Sequence, residues 1–169
     1  MGSEHDRTGA PDAPRDPAAA VRELLRRERV GVLSTLSVRL GGAPLGAIAP
    51  YGLSARGAPT LFLSPLAQHT RNVHADPRAS LLVADSAALA RDPRRAPRAI
   101  VVGRVVPVPA ADEAAVRERY LGMHPEAREL LGLDFRFYQL EPVEVLYVGG
   151  LAQAAFLPGS VLGESGSSS

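Results

Sequence analysis

About seven short β-prone segments, most of them joined by turns that contain Gly or Pro, leave this chain few ways to bury its backbone. In order they are Val30 to Val38, Pro44 to Tyr51, Thr60 to Leu63, the run after Pro77 that ends at Asp85, Arg98 to Val108, Asp134 to Leu140 and Val143 to Val148. Gly41-Gly42 makes a hairpin turn between the first two, Gly103 marks a bend or bulge, and Pro107 and Pro109 end the segment that contains it. Strands this short expose unpaired edges unless the sheet closes on itself. The pattern therefore predicts an α+β chain that is mainly β, a closed or split antiparallel barrel with peripheral helices. Helical periodicity accompanies it over Ala18 to Arg29, where Val21, Leu24 and Leu25 share a face, and over Asp112 to Met123. His124-Pro125 starts a further helix that runs through Leu131 and is closed by Gly132.

At 169 residues the chain is expected to be one domain, from 18 to 158. Residues 1–17 and 159–169 are polar, rich in Gly, Pro, Ser or charge, and read as disordered tails. With no cysteine there are no disulfides and no thiolate metal sites. A net charge of +1 gives no basic field for nucleic acid. All 19 basic residues are arginine, in a chain rich in Ala, Gly and Pro, so the arginine count reflects composition rather than a function. No apolar run approaches the roughly 20 residues a membrane span needs, and the N-terminus lacks the layout of a signal peptide. The expectation is a soluble cytoplasmic protein with no membrane partner.

The stretch Thr60 to Asp85 reads as strand, short helix, strand, with the helix's polar chemistry crowded at its front. Ser64-Pro65 supplies a capping hydroxyl and a first-turn proline, so a helix of about three turns is expected from Pro65 to Asp76-Pro77. Its free N–H groups, with Gln68, His69, Thr70, Arg71 and Asn72, form a cradle for a phosphate or carboxylate, or else an ordinary solvated face. Arg71 can fold back toward those N–H groups, whereas Arg94 and Arg95 lie in a Pro-rich loop. His69 and His74 are five apart on different helix faces and His124 precedes a proline, so no metal site is expected. No nucleophile elbow, P-loop or paired-carboxylate motif is present, and no catalytic acid or base stands out.

SPLAQHTRNVHADPRASLLV resembles a segment of the pyridoxamine 5'-phosphate oxidase-like, FMN-binding split-barrel superfamily, particularly its haem-utilisation branch. RAIVVGRV, RYLGMHPEA, DFRFYQLEP and VGGLAQA follow in that branch's order, so the resemblance spans Val21 to Leu157. It implies an FMN-binding flavoprotein, an oxidoreductase, with Ser64, His69, Thr70, Arg71 and Asn72 at the phosphate, Arg98 reaching the phosphate or ring edge, and Pro50 and Tyr51 beside the ring. Where the family carries an arginine and a lysine on the second strand, this chain has Gly46 and Ala47 through Pro50-Tyr51, and Arg98 stands where the oxidases have glutamine. Two alternatives follow. One is a haem-binding or haem-degrading protein, with His69 or His124 facing the iron; the other is a barrel that has lost its cofactor. The resemblance also implies a homodimer with its site between subunits, completed by Gly149, Gly150 and Gln153 of the neighbour, and it leaves the substrate open.

Overall fold

A computed structural model describes residues 16–151 and 153–163; the tail expected over residues 1–17 falls almost wholly outside them. Asp16 caps helix α1 (Pro17–Arg27), its carboxylate accepting from Ala18 N and Ala19 N at 2.9 and 3.1 Å. Strands β1 (Val30–Leu36) and β2 (Pro44–Leu53) form the expected hairpin, and Gly41 and Gly42 take the positive φ values, 63° and 88°, that the turn demands. There follow β3 (Pro59–Leu63), α2 (Gln68–Ala75), β4 (Arg78–Ala84), α3 (Ser86–Arg91), β5 (Arg98–Pro107), α4 (Ala110–Met123), a 3-10 turn over Pro125–Leu130, β6 (Arg136–Gly150) and β7 (Gln153–Pro158).

Every pairing is antiparallel, in the order β3-β2-β1-β4-β5-β6-β7, and β3 also pairs with β6. That last pairing, with Thr60 opposite Gln139 and Leu63 opposite Arg136, closes six strands into a barrel and leaves β7 as an extra strand on β6. The split-barrel architecture read from the sequence is the one observed. Alternate residues, among them Leu33, Tyr51, Leu61, Leu81, Val101, Leu140 and Val145, fill the interior at essentially no exposure. Val21, Leu24 and Leu25 of α1 and Val73 of α2 join the same core. A second cluster forms where α4 lies over β3 and β6: Phe62, Phe137 and Tyr120 meet at ring-centroid distances of 4.4 to 5.9 Å. Among the described residues no helix is long and apolar enough to cross a membrane.

Three elements differ from the sequence reading. The segments expected at Asp134 to Leu140 and Val143 to Val148 are one strand, because Pro142 falls at a bulge rather than a break: Val102 pairs with Glu144 and Gly103 with Pro142, so Val143 is the extra residue. Gly103 permits this, since a Cβ there would stand 1.9 Å from Glu141 O. The run Gln153–Pro158, not read as a strand, is β7. The tail expected from residue 159 instead begins with a 3-10 turn over Gly159–Leu162, whose Leu162 packs into the core; residues 164–169 lie outside the described residues.

Candidate functional site

The α2 region holds five of the residues singled out from the sequence, and packing divides them. The helix starts at Gln68, not Pro65. Ser64 is spent on its own turn: its hydroxyl accepts from Leu66 N and its carbonyl from Ala67 N, both at 3.2 Å, so the N-cap position passes to Ala67, which has no capping side chain. Asn72 is fully buried. Its Oδ1 accepts from Val38 N at 3.2 Å and from Gln68 Nε2 at 2.9 Å, and its Nδ2 donates to Thr35 Oγ1 at 2.9 Å, which pins α2 to the end of β1. Asn72 is thereby a fastening of the fold. Thr70 is also fully buried, and its hydroxyl has no partner among the described residues. Only Arg71, which is exposed, and His69, which is half-buried, face outward with free polar groups.

Of the described histidines, His74 Nε2 lies 2.8 Å from Tyr138 Oη, and His124 is buried with Nε2 2.9 Å from Tyr51 O and Nδ1 3.1 Å from a Glu126 carboxylate oxygen. Both His124 nitrogens are occupied, so it cannot face an iron. His69 has no hydrogen-bond partner among the described residues, and desolvation holds its imidazole below the usual 6.5, which keeps it neutral at pH 7. No three His, Cys, Asp or Glu side chains converge on a metal position among the described residues.

Tyr51 does not lie beside a ligand ring. It is 0% exposed, and its hydroxyl donates toward Leu25 O and Glu28 O at 2.9 Å each, satisfying carbonyls at the C-terminal end of α1; burial pushes the phenol well above its ordinary range. Pro50 and Arg98 are on the outer face of the barrel. Pro50 pairs with Val30, and Arg98, donating to Ala96 O at 3.1 Å, pairs with Ala84 and Val148. The α2 cluster, anchored near Thr35, is five residues further along β1 than Val30, about 17 Å at the rise of a strand. Within one chain the two halves of the expected site are therefore apart.

The sequence led us to expect an exposed apolar face from Val143–Val145 and Leu146–Val148, but not its extent across the outer face of the barrel. Register places Ile48, Val32, Leu82, Ile100, Leu146 and Phe156 directly beside one another across β2, β1, β4, β5, β6 and β7. At strand spacing this apolar row is about 24 Å wide, and it is open to solvent at its ends, with Ile48 78% and Phe156 69% exposed. The signal was present in strands apolar on both faces, such as VGVL and SLLVA, which indicates cover on both sides. Beside β1 the row deepens into a groove of about 530 Å³, floored by Val30, Val32, Ile48 and Leu82 and walled by Leu89 of α3. At its rim Arg27 is 2.7 Å from an Asp85 carboxylate oxygen, and Arg29 Nη1 donates to Met123 O at 2.6 Å. The groove suits a flat apolar ligand, since its floor is hydrocarbon; its rim carries Arg27 and Arg29, engaged by Asp85 and Met123 O, together with Glu28.

Known proteins with related sequence or structure fall in line with this architecture. The chain is 39% identical over 140 residues to the non-canonical heme oxygenase HOZ, chloroplastic, of Arabidopsis thaliana, covering 82% of this chain and 42% of that protein. It superposes on a heme binding protein from Mycobacterium smegmatis with a TM-score of 0.81 at 29% identity, covering 89% of this chain and 61% of that one. It thus spans under half the length of the first relative and under two thirds of the second. A pyridoxinephosphate oxidase family protein from Clostridium acetobutylicum, related to general stress protein 26, shares the fold at a TM-score of 0.66 and 10% identity, over 87% of this chain and 99% of its own. The barrel is thus the split barrel of the pyridoxamine 5'-phosphate oxidase-like proteins. The family model described as CREG, beta-barrel matches residues 11–160, nearly the whole folded unit, and the chain belongs to that family.

Proposed function

We propose that this protein binds haem on the outer apolar face of its barrel, as a homodimer, and acts in haem binding or breakdown. The observation that carries the reading is the six-strand apolar row with its groove beside β1, an apolar surface open to solvent at both ends. A porphyrin has the matching chemistry, a flat hydrocarbon body with carboxylates at one edge. The names of the 39% and 29% identical relatives support the same ligand class. His69, neutral and unpartnered among the described residues, lies on α2 at the Thr35 end of β1, away from the groove at Val30 and Val32. An imidazole it offers an iron there would therefore come from the second copy. Bound haem supplies its own iron chemistry. The chain's part is to cover the macrocycle with Val32, Ile48 and Leu82, leave its acidic edge at the rim by Arg27 and Arg29, and exclude water. A second copy set on the same face would enclose the groove, which places the site between subunits and brings in the β6–β7 hairpin with Gly149, Gly150 and Gln153.

A second reading, FMN binding with oxidoreductase chemistry, is favoured by one observation: the exposed Arg71 on α2, a helix whose N-terminal N–H groups have no side-chain cap. Against it stand Gly46 and Ala47 on β2, where the resembling oxidases carry cations. Titration of the purified protein with hemin and, separately, with FMN separates the readings. The expected result is a Soret band that saturates with hemin and is weakened at least about tenfold by Ile48→Glu, an exposed position that can accept charge without loss of core. Stoichiometric quenching of FMN fluorescence with no Soret band would overturn haem in favour of flavin. If neither ligand bound, the cofactor-free barrel would stand.

A further inference from the structure

On another side of the molecule from the apolar groove, α4 and the β2–β3 turn enclose a polar trough that shares no lining residue with it. On α4 the residues facing the trough are Asp112, Ala115, Val116 and Arg119, the i, i+3, i+4, i+7 stripe of one helix face. The turn contributes Ser54, Ala55 and Arg56, and β6 contributes Gln139. The main cavity is about 310 Å³, at the small end of the range for ligand sites, and a second of similar size continues it past Ala55 and Arg119.

Two features support a site here. The first is that two guanidinium groups line the same cavity and neither is engaged. Arg27, Arg78, Arg94, Arg95 and Arg117 all have carboxylate partners within 4.0 Å, whereas Arg56 and Arg119 have no hydrogen bond or ion pair among the described residues. The second is that the turn carrying Arg56 is fixed. Ser54 N donates to Ala58 O and Gly57 N to Ser54 O, both at 2.9 Å, and Ala58 N donates to Ser54 Oγ at 3.2 Å. Gly57, at a φ of 74°, lies so close to Leu162 O that a Cβ would stand 2.1 Å from it. With the turn fixed, receiving an anion costs the side-chain freedom of Arg56 and Arg119 but not the ordering of the backbone that carries Arg56. Ser54 Oγ, already an acceptor, keeps its own O–H to donate, and Gln139 adds an amide, while Asp112 offers an acceptor for hydroxyl groups.

We propose that this trough binds a small phosphate monoester of sugar-phosphate or mononucleotide size, its phosphate held by Arg56 and Arg119 and its hydroxyl groups by Asp112 and Gln139. A guanidinium is a planar fork of donors that suits a phosphate, two of them line this one cavity, and the single carboxylate selects against ligands that are anionic throughout. The site is separate from the haem reading and does not depend on it.

The test is isothermal titration of the 169-residue chain with inorganic phosphate, ribose 5-phosphate and adenosine 5'-monophosphate, with adenosine as the phosphate-free control. Saturable binding of the two esters is expected, tighter than inorganic phosphate and absent for adenosine. Arg56→Ala and Arg119→Ala should each weaken it about tenfold or more, while the Arg94→Ala/Arg95→Ala double variant, whose arginines are paired with Asp92, should bind as the parent does. Far-ultraviolet circular dichroism and thermal midpoints of the same variants report whether the barrel is intact. The proposal is overturned if no ester binds saturably up to about 10 mM, well beyond ordinary metabolite affinities, if the control variant loses as much as the trough variants, or if the trough variants bind unchanged.

Discussion

His124 Nε2 donates to Tyr51 O at 2.9 Å, and the side chain of that same tyrosine holds two carbonyls of α1. One residue of β2 thus joins the α4 corner to the helix that plugs the barrel. Removing either contact strands buried carbonyls. Tyr51→Phe, which keeps the ring, should cost about 1–2 kcal/mol, whereas His124→Ala, which also leaves a cavity, should cost about 2–4 kcal/mol. Urea unfolding, read at constant m-value, measures both. A His124→Ala protein as stable as the parent would remove this junction from the account.

A pH profile should isolate His69. Its folded imidazole titrates below 6.5 because it is partly desolvated, so between that value and the lowered one the unfolded chain binds more protons. Stability from this group is complete above pH 6.5 and is lost as pH falls below it. Asp76 acts elsewhere: hydrogen bonds from Arg78 hold its carboxyl at about 2, so its part is lost only as pH falls from 3.8 toward that value. His69→Gln should therefore flatten the profile just below pH 6.5 and leave the acid limb unchanged. Thermal midpoints across both windows check this; identical slopes in the upper window would refute the assignment.

Two glycines should respond in opposite directions to alanine. Gly103→Ala drives a methyl into Glu141 O at the β5–β6 bulge and should destabilise by about 3 kcal/mol or more. Gly122, inside α4 with nothing within 4 Å of its Cβ position, should gain about 0.5–1 kcal/mol from lost unfolded-chain entropy. Denaturation midpoints of the two variants are the measurement.

The proposed dimer predicts that Ile48→Glu and Phe156→Glu, at opposite ends of the apolar row, each shift the mass in light scattering from a dimer toward the 17.8 kDa chain while the far-ultraviolet dichroism stays unchanged. A parent protein already monomeric at micromolar concentration would defeat the shared-site reading.

What was legible in the sequence was local. Gly41-Gly42 announced its hairpin through the turn it must make, and Val116 and Tyr120, four apart, announced α4. The barrel was legible because short strands with turns between them have few other solutions. What escaped were features set by distant partners. Pro142 looks like a strand end until Gly103 is found opposite it, and Ser64 looks like a helix cap until its hydroxyl is found closing its own turn. Within the expected site, Tyr51, Thr70 and Asn72 read as polar contacts for a ligand, but the pleat and the helix face turn all three inward. The apolar row is six residues drawn from six strands, and nothing in any one of them marks the others.

The pairing of Thr60 with Gln139 also governs how the chain is made. Vectorial synthesis delivers β3 long before β6, so the seam cannot be stitched until most of the domain has left the ribosome. Until then β3 has a bare edge and the interior side chains of β1 to β5 lack their lid. The nascent chain therefore passes through a long interval as an open, sticky sheet. For this fold, translation speed and chaperone cover over residues 60–139 govern yield as directly as the stability of the finished barrel.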